Sequence, residues 1–284
     1  MPLQFETCDG VADMTSTQWL LQSNHPNLST IREIAAILRD QGNAVHMVPL
    51  KGHSTELPDL SMLDALEPVV CYGPSFVPRA FAHPSLNPGV FFDPDTFLWS
   101  SFRSGWEEMM LSTGRVVPAV AAPDVVGAKS FVRPDQDSKA FDGGLFDAKS
   151  MAETIDLALM RGLLQPDTPV VVAEPVRVDA EWRTFIVGGE VVAASSYRRD
   201  GVGDISLHVP HAVVDMAFEA AERWRPADVF CLDIALSGDR YGIVEANCFN
   251  ASRFYGADAA AVLSAVSTHV SVYNRGKDYN CVRR

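Results

Sequence analysis

The sequence has no apolar run long enough to cross a bilayer as a helix. Its first residues, MPLQFETCDG, lack the basic segment and apolar run of a secretory leader, so a cytoplasmic protein without a membrane partner is expected. Cysteine is sparse. Cys8, Cys71, Cys231, Cys248 and Cys281 are scattered, odd in number and without metal-ligand spacing, which predicts reduced, packed thiols rather than a disulfide framework. Positive charge is also short: 23 Lys and Arg against 36 Asp and Glu leave a formal net charge of -13, which argues against a nucleic-acid partner. A local basic site for phosphate remains compatible with that balance. No G-x-G-x-x-G follows the first strand pattern, and the G-x-x-x-x-G-K-[ST] spacing of a P-loop is missing. There is no internal repeat and no low-complexity tract.

What is present is ordinary globular composition, 47% hydrophobic and 21% charged over 284 residues, enough for two domains or one large one. Strand patterns at residues 18–21, 44–50 and 69–72 flank a helix opened by the capping-box pattern Thr30 to Glu33 and closed at Gly42. That order predicts a small α/β domain with parallel pairing. A helix over residues 97–111 would align Trp99, Phe102, Trp106 and Met110 on one face, as a core stripe. Strands are expected at residues 116–120, 127–132 and 170–176. A second capping box, Ser150 to Glu153, opens another helix. Strands at residues 182–187 and 190–196 turn on Gly188-Gly189, a helix follows over 213–224, and a last helix runs over 257–273 before a basic tail at 277–284.

Two stretches carry chemistry. Residues 229–236 and 241–246 read as strands joined by Ser237-Gly238-Asp239-Arg240, and pairing about that turn brings Asp233 close to Glu245. Glu245 and Asn247 are two apart and share a face. Two carboxylates and an amide oxygen on an apolar sheet face suit Mg²⁺; the wet face of an ordinary hairpin has the same composition. The second stretch is FVRPDQDSKAFDGGLFD, residues 131–147. An apolar strand ends at Arg133, and the loop after it carries Lys139 and Gly143-Gly144. Cations and open amides there suit phosphate, and a solvated hairpin loop is the competing reading.

The order of these pieces resembles the ATP-grasp family of carboxylate–amine ligases. The pieces are FVRP, then DSKAFDGG, then a strand ending at Glu174 with Glu181 seven positions on, then Asp233 and the Glu245-x-Asn247 strand. The resemblance covers about residues 110–270. It is strongest to a branch found in bacteria and their phages, in which Arg replaces a lysine of the phosphate-binding strand. It implies an α+β ATP-grasp fold, two α+β subdomains clasping ATP, preceded by a small α/β domain. The expected division is residues 1–112 and 113–284, the latter split into a smaller ATP-clasping part at 113–200 and an Mg²⁺-binding part at 201–284. By the same resemblance Arg133 contacts ATP phosphates, and Lys139, Gly143 and Gly144 belong to the loop covering them. Glu174, Pro175, Val176 and Arg177 form the hinge beside adenine, and Glu181 bonds the ribose. Asp233, Glu245 and Asn247 hold Mg²⁺. Arg183 is a candidate to meet the γ-phosphate or an acyl phosphate, and Arg253 a candidate for the substrate carboxylate. The implied activity is ATP-dependent joining of a small-molecule or peptide carboxylate to an amine through an acyl phosphate. A kinase on the same scaffold and a non-catalytic nucleotide-binding module are the alternatives, and a homo-oligomer is compatible with all three. The chain departs from the family where Arg133 replaces the lysine, and where Cys231 stands two residues before Asp233, a place some members give to Arg.

Overall fold

The computed structural model describes residues 17–25, 27–51, 56–136 and 140–281, with side chains as far as 272. The first elements are β1 (Gln18–Gln22), α1 (Leu28–Asp40), β2 (Ala44–Val48), β3 (Val69–Tyr72), α2 (Val77–Ala80) and β4 (Pro88–Gly89). They form the expected parallel sheet, in the order β2-β1-β3-β4. Every residue of β1 is buried, as a central parallel strand covered on both faces must be. Helix α1 buries Ile31, Ile34, Ala35 and Leu38 against that sheet. It starts earlier than predicted: Asn27 is the N-cap residue, so Thr30 lies inside the first turn and the Thr30–Glu33 capping box is not made. Gly42, at φ +81°, ends the helix as expected, with its amide on the Arg39 carbonyl at 2.9 Å.

Helix α3 (Trp99–Trp106) is shorter than the predicted span. Gly105 faces the Trp224 ring, where a Cβ would lie 2.5 Å away, and Glu107 takes a positive φ that α-helix cannot continue through. The predicted stripe of Trp99, Phe102, Trp106 and Met110 is buried in the core. Next come β5 (Arg115–Pro118), α4 (Ala122–Val125), β6 (Ser130–Pro134), β7 (Gly144–Phe146), α5 (Ala148–Met160) and β8 (Pro169–Ala173). These strands make an antiparallel sheet ordered β5-β8-β6-β7, with Met151, Ile155 and Ala158 of α5 packed on it. The capping box of α5 sits three residues before the predicted one. Asp147 accepts the Ser150 amide at 2.8 Å, and the Ser150 hydroxyl accepts the Asp147 amide at 3.1 Å.

The third sheet holds β9 (Ala180–Val187), β10 (Glu190–Arg199), β11 (Val202–Ser206), β12 (Val229–Ser237) and β13 (Arg240–Cys248). Its order is β11-β10-β9-β12-β13, antiparallel throughout. A division at residue 200 would therefore cut this sheet between β10 and β11. Helix α6 (His211–Arg223) and α3 cover one face. Helix α7 (Ala259–Cys281) covers part of the other and runs past the predicted end at residue 273. Among the described residues no helix is long and apolar enough to cross a membrane.

The first sheet does not stand apart. Trp19, Leu21 and Ile31 share one core with Phe185, Val229, Phe249 and Val262. Just beyond β13, Asn250 is fully buried and makes three bonds of 2.7 Å or shorter to the leading part of the chain. Its Nδ2 donates to the Cys71 carbonyl at 2.6 Å, its Oδ1 accepts the Phe91 amide at 2.7 Å, and its carbonyl accepts the Gly73 amide at 2.7 Å. Each large apolar side chain buried in this shared core contributes about 1.5–3 kcal/mol.

Candidate active site

Strand alternation builds the site. On β9 the residues Trp182, Thr184 and Ile186 point one way, with Trp182 and Ile186 in the core beneath α6, and Glu181, Arg183 and Phe185 point the other. Register then fixes the neighbours: counted from the turn, Asp233 of β12 would face Val244, and a bulge between Asp233 and Ile234 sets it opposite Glu245 of β13 instead, with Arg183 of β9 on its other side. The shared face is apolar at one end, where Phe185, Val229 and Cys231 meet α7, and charged at the other.

At the charged end Arg183 grips Asp233 with two parallel bonds, Nε to Oδ1 at 2.8 Å and Nη2 to Oδ2 at 2.7 Å. Both side chains are nearly fully buried. The Asn247 amide nitrogen donates to Asp233 Oδ2 at 3.1 Å and to Glu245 Oε1 at 3.2 Å, so both carboxylates converge on one point. The remaining Glu245 oxygen meets Arg133 Nη1 at 2.5 Å, a contact that reaches from the third sheet across to β6 of the second. Arg133, Gly143, Glu245 and Asn247 line a cleft of about 220 Å³ between those sheets, with Phe131 and Phe141 as its apolar part. Gly143 is needed for the close approach, since a Cβ there would lie 3.2 Å from both Arg133 and the Phe131 ring. Gly144 pairs with Val132 in the β6–β7 ladder.

Other predicted residues stand outside this cluster. Glu174, Pro175, Val176 and Arg177 form the exposed linker between β8 and β9, and none of them lines the cleft. Arg177 is paired with Asp179 at 2.7 Å and approaches Asp200 at 3.8 Å. Glu181 is the exception and belongs with the cluster: it is buried, faces Arg198 Nη1 at 2.9 Å, bonds the Tyr197 side chain and feels the Asp233 charge. Arg253 is exposed on the segment after β13, without an ion pair among the described residues. Lys139 lies outside the described residues.

Three residues that sequence reading did not single out belong to the cluster. Tyr197 stacks on Tyr255 with ring centroids 4.8 Å apart and planes 14° from parallel. The Arg183 guanidinium lies 5.8 Å from the first ring and 5.2 Å from the second. Arg198 lies 5.9 Å from the Tyr197 ring. An unbroken β9–β10 hairpin, extended from its Glu190–Val187 pair, would set Ser196 against Glu181. Two register shifts set Arg198 there instead. Hairpin pairing is a signal the sequence does carry; the bulges that displace it are not.

Burial raises the carboxyl pKa of Asp233 and of Glu181, against the pull of Arg183 on the first and Arg198 on the second. Burial acts against the charge of Arg183 too, yet the Asp233 carboxylate outweighs it and holds the guanidinium protonated. The two short parallel bonds between them have the geometry of a guanidinium–carboxylate pair. The thiols of Cys231 and Cys248 are pushed up to about 12 by burial, which leaves them as inert packing groups.

Among the described residues no cluster of three His, Cys, Asp or Glu could hold a metal ion. The set here is two carboxylates plus an amide that can present oxygen in place of nitrogen after a half-turn. Hard oxygen donors converging beside a cleft that carries Arg133 fit Mg²⁺, which binds through one or two carboxylates and completes its shell with phosphate and water.

Comparison with known proteins identifies the family and the fold. A family described as an ATP-grasp domain, the one numbered 3 within its clade, matches residues 57–266. No curated protein sequence matches the chain. Among solved structures, a RimK domain ATP-grasp protein from Sphaerobacter thermophilus DSM 20745 superposes with a TM-score of 0.60 at 16% identity, covering 88% of this chain and 99% of that one. The D-alanine–D-alanine ligase of Bacillus anthracis, complexed with ATP, gives a TM-score of 0.60 at 11% identity over 92% of this chain and 99% of that one. The ATP-grasp ligase PsnB, complexed with a minimal precursor, gives 0.55 at 13% identity, over 92% and 99%. At these identities the likeness is one of fold.

Proposed function

Because the chain belongs to the ATP-grasp family, we propose that it is an ATP-dependent ligase joining a carboxylate to an amine through an acyl phosphate. The observation that carries this reading is the convergence of Asp233, Glu245 and Asn247 opposite Arg133 across the cleft between two sheets. In this reading residues 1–112 form the preceding domain. The ATP-clasping unit is the sheet of β5 to β8, the Mg²⁺-binding unit is the sheet of β9 to β13, and the linker 174–179 is the hinge between them. This moves the inner boundary from residue 200 to the hinge.

ATP brings several negative charges, and a substrate carboxylate approaching the γ-phosphorus adds another. Bound between Asp233, Glu245 and Asn247, Mg²⁺ would supply charge neutralisation for the β- and γ-phosphates. Arg133 then exchanges its Glu245 partner for phosphate oxygen, to which its planar fork is suited. Arg183 keeps Asp233 ionised despite burial, and its Nη1 is the donor not engaged with that carboxylate. Gly143 and Gly144, with Lys139, belong to the segment that covers the phosphates and keeps water from the acyl phosphate. The hinge residues Glu174 to Arg177 offer backbone groups to adenine, Glu181 accepts the ribose hydroxyls, and Arg253 receives the substrate carboxylate. Attack by the amine then expels phosphate.

The test is product analysis by mass spectrometry with Mg-ATP and a panel of amino acids, peptides and amines. The expected products are ADP, free phosphate and an amide. Asp233→Asn and Glu245→Gln should each abolish ADP release while circular dichroism stays unchanged. Undiminished ADP release by either variant sinks the metal assignment, and phosphate retained on the acceptor makes the protein a kinase instead.

A further inference from the structure

Beside the charged cluster stands a residue in an unfavourable conformation. Tyr255 has φ +53°, in the left-handed region where a side chain crowds the backbone at a cost of about 1–2 kcal/mol. The chain is prevented from relaxing there by contacts on its near side. Ser252 donates its hydroxyl to the Cys248 carbonyl at 2.8 Å, and its own carbonyl accepts the Tyr72 hydroxyl. Phe254 is buried, stacks on Phe185 at 5.1 Å, and its carbonyl accepts Ser195 Oγ at 3.5 Å.

The conformation delivers the Tyr255 ring onto Tyr197. Arg183 lies beside this stack, 5.8 Å from one ring centroid and 5.2 Å from the other, and the packed rings limit its movement away from the position in which Nε and Nη2 both reach Asp233. The carboxylate is thereby held in one orientation before any ligand arrives.

We propose that Tyr255 is a positioning residue for Asp233, its ring packing with that of Tyr197 beside Arg183 so that the Asp233 carboxylate is oriented for a divalent cation. The inference rests on the reading of Asp233 as a ligand to that cation. Partners of metal ligands that fix their orientation are worth about 10–100-fold in metal affinity. Backbone relief and ring removal have opposite signs here, which makes the role separable from a structural one: glycine at 255 removes the ring and also the strain.

The experiment is a titration of Mn²⁺ into the full chain with a non-hydrolysable ATP analogue, free Mn²⁺ being read by electron paramagnetic resonance, alongside a thermal melt. Tyr255→Gly should weaken Mn²⁺ binding by about tenfold or more, with a melting temperature no lower than the parent's. Tyr255→Phe, which keeps the ring, should bind Mn²⁺ as the parent does. Tyr255→Gly within twofold of the parent overturns the proposal, as does a loss equal in the Phe and Gly variants, or one that appears only together with a lowered melting temperature. Asp233→Asn is the control: if it too binds Mn²⁺ unchanged, the metal reading itself fails, whereas loss in Asp233→Asn with none in Tyr255→Gly removes the positioning role alone.

Discussion

Replacing Arg183 by methionine would leave the Asp233 carboxylate almost fully buried and without its cation. Breaking a buried pair from one side costs about 3–5 kcal/mol, because the remaining charge keeps its desolvation penalty. Unfolding entropy near 60 °C is about 2.1 cal/mol/K per residue. Over 284 residues that is about 0.6 kcal/mol/K, so Arg183→Met should lower the melting temperature by about 5–8 °C. The deficit should depend on pH with a fixed sign. Burial already raises Asp233, and without Arg183 only hydrogen bonds from Tyr197 and Asn247 oppose it. The folded state then keeps a proton that the unfolded state releases near pH 4, so stability falls as pH rises from there through the folded value. Calorimetric scans should therefore show a larger deficit at pH 8 than at pH 5. The double variant Arg183→Met/Asp233→Leu, which removes both charges, should recover most of the loss. A single variant within 1 °C of the parent, a deficit that grows toward acid, or a double variant that melts at the sum of the two single losses would each refute the account.

Two other perturbations probe the frame around the site. Gly242 of β13 lies against Leu111, whose Cα would be 2.7 Å from a new Cβ, so Gly242→Ala should cost about 1–3 kcal/mol and lower the melting temperature by a few degrees. Asp147 caps α5, and its bond to the Ser150 amide, with a second from the Ser150 hydroxyl, holds its carboxyl below the usual range. A depressed pKa contributes stability above the unfolded value and loses it as pH falls through the folded one. Asp147→Ala should therefore lower the melting temperature at pH 7 and hardly change it at pH 3.

Residue pattern alone revealed the hairpin of β12 and β13 and put Asp233 near Glu245, but the bulge that sets the two directly opposite was not legible, since register counted from the glycine turn pairs Asp233 with Val244. Parallel pairing of the first three strands followed from their spacing around α1. Helix starts were less legible. Both Thr30–Glu33 and Ser150–Glu153 have the capping-box composition, yet the chain begins α1 at Leu28 and α5 at Ala148, where Asn27 and Asp147 take the N-cap position. A short pattern of side-chain types does not say which polar residue will leave the helix. The grouping of Tyr197, Tyr255 and Arg183 was invisible for a different reason. Its members come from β9, a bulged stretch of β10 and the segment after β13, brought together only by the sheet order and an unusual φ at residue 255. Strands β4 and β11 were also missed, one being two residues long and the other, VGDIS, having no apolar alternation.

Asn250 bears on how this molecule could be taken apart or rebuilt. It lies three residues beyond Asn247 and commits its amide and carbonyl to the front of the chain. That front is therefore not an exchangeable module plugged onto a nucleotide-binding engine. A graft of a foreign leading domain would have to supply a carbonyl where Cys71 has one and amides where Gly73 and Phe91 have theirs, or the strand carrying Glu245 and Asn247 would lose its anchor. Any new specificity installed at the front must keep those three contacts, so diversification is directed to the loops of the first sheet rather than to its seam with the third.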